Sequence, residues 1–131
     1  MINLPKTLRS FRFAGQGVVA LFRYENNARF HAVAGLLVVG AGVWLGLTIT
    51  EWAILLTQIG LVFMAEAVNT AIEKLCDVVS PAHHPTIKAV KDIAAGAVLI
   101  LAIVSALVGL LILGPKLLAL FTQSFNQPVA H

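Results

Sequence analysis

The chain has 131 residues, the length of one domain, but 59% of them are hydrophobic and only 11% charged, a balance outside the range of ordinary soluble domains. Water is therefore the wrong solvent. The net charge of +3 hints at nucleic acid, but the positions of the basic residues read instead as membrane topology, and no nucleic-acid partner is expected.

From Pro5 to Tyr24, Leu8, Phe11, Val18, Leu21 and Phe22 are interspersed with Lys6, Arg9, Arg12 and Arg23. This mixed pattern predicts an amphipathic helix lying in the membrane interface over about residues 5–24. No short apolar stretch with a small-residue cleavage site precedes the first long apolar run, so no signal peptide is read. Glu25-Asn26-Asn27 reads as a turn, because adjacent asparagines favour caps and turns.

The first transmembrane helix is predicted over about 29–49, where Phe30 to Ile49 carries no titratable residue except His31. A run of that length covers roughly 30 Å of hydrocarbon. Gly42 and Gly46 form a GxxxG pair, read as a close helix contact. Trp44 and Trp52 sit where an interfacial aromatic belt is expected, on either side of a short outer turn from Gly46 to Glu51.

The next apolar segment, Trp52 to Ala65, is too short to span alone, but its helical pattern continues through Glu66, Asn69, Glu73 and Asp77. A second span over about 52–79 follows, provided the polar continuation is sheltered. Cys76, the sole cysteine, has no partner for an intramolecular disulfide and is read as a packing residue. Pro81 and Pro85 prevent one helix from bridging the next connection, Ser80 to Thr86. The third span is predicted over about 87–114, with no charge from Ile93 to Gly114. After Gly114-Pro115 the tail, 115–131, has no obvious periodicity and is expected to be frayed and dispensable.

The basic residues lie before the first span, at Lys74, and at Lys88 and Lys91; only Lys116 lies elsewhere. By the positive-inside bias the N-terminus and the second connection face the cytoplasm, and the outer turn and C-terminus face outward. The basicity thus sets topology and supplies phosphate contacts, Arg9 among them. The expected fold is an all-α integral membrane protein with an N-terminal amphipathic surface helix and three transmembrane helices.

Glu66, Asn69, Glu73 and Asp77 follow spacings of three, four and four, which put them on one helical stripe. A carboxylate costs at least about 2.5 kcal/mol at the bilayer centre, so it persists where it faces a cavity, a partner or a metal. One reading is a structural polar seam paired with Lys91 and Arg29. For Glu66, about two turns deeper than Glu73, a functional role is the stronger reading. Glu25 enters the first span, and Lys91 and Asp92 open the third, at the same cytoplasmic level. Oxygen ligands of this kind suit Mg²⁺, which uses one or two carboxylates plus substrate phosphates. Lys91 then serves as a point charge on the phosphates or as a helix-end anchor.

Other motifs fail. Gly15-Gln16-Gly17-Val18-Val19-Ala20 matches a dinucleotide pattern, but no strand precedes it. There is no GxxxxGK[ST]. His83 and His84 are adjacent, without the spaced partners of a zinc site; His84 retains a loop-ordering or phosphate-proximal role.

Glu66-Ala67-Val68-Asn69-Thr70-Ala71-Ile72-Glu73, then Asp77, Ser80-Pro81, His84-Pro85 and Ala89-Val90-Lys91-Asp92, resembles the prokaryotic diacylglycerol kinase and undecaprenol kinase family. The likeness runs from about Phe11, through Glu25 and Arg29, to about Pro115. It implies a homotrimer of three-span subunits with composite sites, in the cytoplasmic membrane of a bacterium. It also implies transfer of the γ-phosphoryl group of Mg·ATP to the hydroxyl of a membrane lipid. By the family motif Glu66 looks like the general base, Glu25 and Glu73 like metal ligands, and Lys91 like the phosphate contact. Asn69 and Asp77 would shape the nucleotide site, and Asp92 would support it. The His83-His84-Pro85 loop resembles the undecaprenol-kinase-like branch.

An oligomer is expected on a second ground, since three short-looped helices alone offer little shelter for the stripe. The competing functions are a proton- or cation-conducting oligomer and a structural membrane subunit. The first predicts acidic residues distributed across the bilayer, whereas the outer halves of the spans lack charge; the second leaves Glu66 an unexplained cost.

Overall fold

The computed structural model describes residues 3–80 and 84–125. Their regular structure is entirely helical: α1 (Leu4–Tyr24), α2 (Asn26–Trp44), α3 (Ile49–Val79) and α4 (Pro85–Phe125). Two of these, α3 and α4, are long and apolar enough to cross a membrane.

Asn3 opens α1 by accepting from the Lys6 backbone N–H at 3.2 Å, with Pro5 in the first turn, where a missing donor costs nothing. The helix is exposed along most of its length, and of its residues Leu21 is buried. Phe22 meets the Phe63 ring edge-on at 5.4 Å and ties the end of α1 to α3. The turn predicted at Glu25-Asn26-Asn27 contracts to Glu25 alone, whose extended backbone separates α1 from α2. Arg29, expected in the acidic seam, instead donates from Nε to the Phe22 carbonyl at 2.8 Å and from its guanidinium to the Arg23 carbonyl. It caps the end of α1, because helix-terminal carbonyls lack intrahelical donors.

The helix α2 ends at Trp44, short of the predicted 49, because Gly46 adopts a positive φ of 64° and turns the chain. The GxxxG reading is therefore corrected, since Gly46 serves the turn. Gly42 is needed for close approach: a Cβ there would lie 2.8 Å from Leu47 Cδ1 and 2.9 Å from Trp52 Cη2. Thr48 and Glu51 then form a reciprocal capping box, which starts α3 at Ile49, earlier than the predicted 52.

The pairing of α3 with α4 is pinned near both ends. Lys91 Nζ lies 2.5 Å from Asp77 Oδ1, and Lys116 Nζ lies 3.2 Å from Glu51 Oε2. Between them Ser105 Oγ donates to Gln58 Oε1 at 3.0 Å. The predicted end near Gly114 is wrong, for α4 continues through Pro115 to Phe125. Proline removes one backbone donor, but the Lys116–Glu51 pair anchors the helix just beyond it, and Leu117, Leu118, Leu120 and Phe121 keep the segment apolar. Residues 126–131 of the expected tail lie outside the described residues. Cys76 is buried and free, in keeping with a packing role.

An apolar groove of about 550 Å³ lies among α2, α3 and α4. Its walls include Phe30, His31, Val62, Phe63, Ala106 and Leu117, and the Gln58–Ser105 pair lies within it.

Candidate active site

The spacing of Glu66, Asn69, Thr70 and Glu73 places them on one face of α3, and the first three are buried, Glu66 to 2% exposure and Asn69 and Thr70 to 7%. Glu66 and Asn69 are thus sheltered inside a single chain, whereas Asp77 at the end of the stripe has its side chain 68% exposed. Glu66 Oε1 lies 3.2 Å from His31 Nε2 on α2, a close contact that lacks hydrogen-bond alignment. Asn69 Nδ2 donates to Glu73 Oε1 at 3.0 Å, one turn along. Glu66 Oε1, Asn69 Oδ1 and Thr70 Oγ1 remain buried without hydrogen bonds. Buried polar atoms left unpaired cost about 1–3 kcal/mol each, and three on one face mark a place prepared for a polar ligand group.

The half-buried Glu25 stands at the α1–α2 break with its Oε1 3.9 Å from Lys74 Nζ; the same ammonium lies 5.6 Å from the Tyr24 ring centre. Both Glu25 and Glu73 are within electrostatic reach of Glu66, so three carboxylates crowd one end of the bundle. Lys91 binds Asp77 and also feels Glu73. The structure therefore brings together Glu25, Glu66, Asn69, Glu73, Asp77 and Lys91.

Two expected residues do not join them in a single chain. Asp92 pairs with Lys88 one turn back on its own helix at 2.5 Å, with its side chain 62% exposed. Arg9 is exposed on α1, about 18 Å along the helix axis from the buried Leu21. His83 lies outside the described residues, and His84 Nδ1 accepts from the Thr86 backbone N–H at 3.2 Å, which is the loop-ordering role.

Sequence reasoning missed His31 and Thr70 as site residues. For His31 a signal existed, as the single titratable group in an otherwise apolar run. For Thr70 the signal was its place four residues after Glu66, inside the Glu66–Glu73 motif, but threonine is a common packing residue and was passed over.

Glu25 and Glu73 are hard oxygen donors, and among the described residues no three His, Cys, Asp or Glu side chains form a group fit to enclose a metal. This donor set fits Mg²⁺, which takes one or two carboxylates and fills its remaining positions with phosphate oxygens and water.

Residues 12–113 match the family described as Prokaryotic diacylglycerol kinase. The chain belongs to that family. It is 45% identical over 115 residues to the undecaprenol kinase of Bacillus subtilis, across 88% of this chain and 94% of that one. It is 40% identical over 117 residues to a diacylglycerol kinase of Synechocystis, across 88% and 67%. With the diacylglycerol kinase of Escherichia coli it shares 28% identity over 105 residues, across 80% and 86%. As a member of the prokaryotic diacylglycerol kinase family the chain is a membrane lipid kinase, and the expected resemblance holds. The matched segment covers α2 and α3 whole and α4 up to residue 113, so the extension beyond Pro115 lies outside it.

Proposed function

We propose that this chain transfers the γ-phosphoryl group of ATP to the hydroxyl of undecaprenol, a membrane lipid alcohol, at the cytoplasmic face of a bacterial inner membrane. The observation that carries the reading is Glu66, a carboxylate buried at membrane depth with an unsatisfied Oε1 beside the unpaired Asn69 Oδ1 and Thr70 Oγ1. A lipid hydroxyl supplies the missing donor. Undecaprenol is preferred over diacylglycerol because of the 45% identity to an undecaprenol kinase. In this reading α2 is the third membrane span, about 28 Å long. Its neighbour α1 lies along the cytoplasmic interface, and the apolar groove receives the hydrocarbon chain.

Glu66 accepts the hydroxyl proton as the lipid oxygen attacks the γ-phosphorus. The bond from that phosphorus to the bridging oxygen breaks, and ADP leaves with the electron pair. Glu25 and Glu73 would hold Mg²⁺, which supplies charge neutralisation on the phosphates when bound. Lys91 contacts the phosphates as a point charge, and Asp77 holds its ammonium in place at 2.5 Å. Asn69, through its bond to Glu73, fixes the metal-binding carboxylate. Phosphoryl transfer depends on such positioning and charge placement more than on covalent chemistry.

Arg9 and Asp92, which do not join this cluster within one chain, complete it in a homotrimer, reaching the nucleotide of a neighbouring subunit. The clustering of carboxylates at one end of the bundle opposes the conducting-subunit reading, which needs acidic groups along the whole path.

The test is label transfer from γ-labelled ATP in lipid vesicles offered undecaprenol and diacylglycerol side by side. Labelled undecaprenyl phosphate is expected; label on diacylglycerol alone would overturn the acceptor, and label on neither would overturn the kinase reading.

A further inference from the structure

His31 is unlike every other residue of α2 between Phe30 and Trp44, the rest of which are apolar or glycine. A polar ring in such a helix carries a desolvation cost, so it persists where it has a partner. Its Nε2 lies 3.2 Å from Glu66 Oε1, and both side chains are largely withdrawn from solvent, at 18% and 3% exposure. His31 also lines the apolar groove. It therefore stands where the groove meets the carboxylate.

Of the polar groups around Glu66, His31 Nε2 is the one placed 3.2 Å from Oε1; Thr70 Oγ1, one turn along the same helix, carries a proton but makes no bond to it. Asn69 gives its Nδ2–H to Glu73, and Glu25 and Glu73 are themselves carboxylates that repel Glu66. A carboxylate facing two others needs a donor to hold its orientation. A proton on Nε2, present in one neutral tautomer and in the imidazolium, is that donor. A carboxylate oxygen accepts from two donors, so a small reorientation that brings Nε2–H onto Oε1 still leaves a lone pair for a lipid hydroxyl.

We propose that His31 is a positioning residue for the phosphoryl transfer: its Nε2 holds the Glu66 carboxylate at the mouth of the groove, so that the hydroxyl of a chain lodged there meets an oriented base. The proposal rests on the lipid-kinase reading of Glu66. It does not make His31 a catalytic residue, since the imidazole touches the carboxylate and not the reacting oxygen or phosphorus.

The test compares His31→Gln with His31→Asn in the full-length chain, reconstituted in vesicles with undecaprenol and Mg·ATP. Both substitutions place one neutral amide in α2, so their effects on insertion and packing are alike. They differ in reach: a glutamine amide nitrogen falls near the Nε2 position, whereas an asparagine nitrogen falls near Nδ1 and stops short of Glu66. The Gln variant is expected to keep kcat within about fivefold of the unaltered protein. The Asn variant should lose on the order of 10²-fold, the usual cost of about 1 Å of misplacement at a reacting group. KM for Mg·ATP should stay within about twofold in both, because the phosphate contacts are untouched. Equal kcat for the two variants, at any level, would overturn the proposal, as would a loss confined to KM for ATP. Label transfer by the unaltered protein in the same vesicles separates the outcomes: its absence sinks the kinase reading, whereas its presence with equal variants sinks only the role of His31.

Discussion

Replacing Glu66 by Gln separates catalysis from stability, because the structure gives the two effects opposite signs. The side chain is 2% exposed in a helix long and apolar enough to cross a membrane, so its charge carries an insertion cost of at least about 2.5 kcal/mol. An amide of the same size removes the charge. Against this stands the loss of the His31 contact at 3.2 Å, worth about 1 kcal/mol or less given its poor alignment. The variant should therefore melt in detergent at or above the temperature of the unaltered protein. Turnover should nevertheless fall by about 10²–10⁴-fold, the usual contribution of a general base, because an amide cannot accept the hydroxyl proton. The assays are thermal unfolding in detergent and label transfer from ATP at saturating Mg²⁺ and lipid. Near-normal turnover would refute the base assignment, and a large drop in melting temperature would refute the claim that the buried charge is held against its own cost.

Glu73→Gln should raise the Mg²⁺ concentration needed for half-maximal activity, with excess metal restoring part of the rate, as measured by metal titration. Subunits altered at Glu66, mixed with subunits altered at Arg9, should regain activity in verified mixed oligomers if sites are shared; no recovery would mean self-contained sites. A thiol placed at Thr86 should stay unlabelled by an impermeant reagent in intact cells and react once they are opened, since a connection facing outward would deny ATP its site. Gly42→Val should lower stability by about 1–3 kcal/mol, read as a fall in melting temperature, because its Cβ would enter contacts of 2.8 and 2.9 Å with Leu47 and Trp52.

How legible the molecule was from its sequence depended on whether a feature repeats along one helix or joins two. Glu66, Asn69 and Glu73 announce themselves because spacings of three and four are local, and the helix that carries them must present them together. Asp77 and Lys91 could be paired because both flank one short connection. The contact of His31 with Glu66 crosses from α2 to α3, and no spacing rule links residues so far apart. Arg29 was misplaced for a related reason. Its charge suggested the acidic seam, but the carbonyls at the end of α1 are nearer in the chain and lack other donors. The end predicted near Gly114 rests on the lack of periodicity beyond it, yet the ion pair that carries α4 past Pro115 joins two helices, and no local pattern shows such a pair. Arg9 and Asp92 do not join the cluster in one chain, because one lies exposed on α1 and the other pairs with Lys88 on its own helix.

The clasps at the two ends of the α3–α4 pair leave little room for sliding. From Glu51 to Asp77 on one helix and from Lys91 to Lys116 on the other, the intervals are both about 38 Å at the usual helical rise. Inserting or deleting one residue in either interval would offset one clasp by about 1.5 Å and turn its side chain by about 100°. Shifting one helix past the other to suit membranes of different thickness would break both ion pairs. The pair must lean as a unit, so that thinner bilayers increase its tilt. Its two ion pairs act as the fixed marks of a ruler, and the lean changes how deep Glu66 sits without changing what it faces.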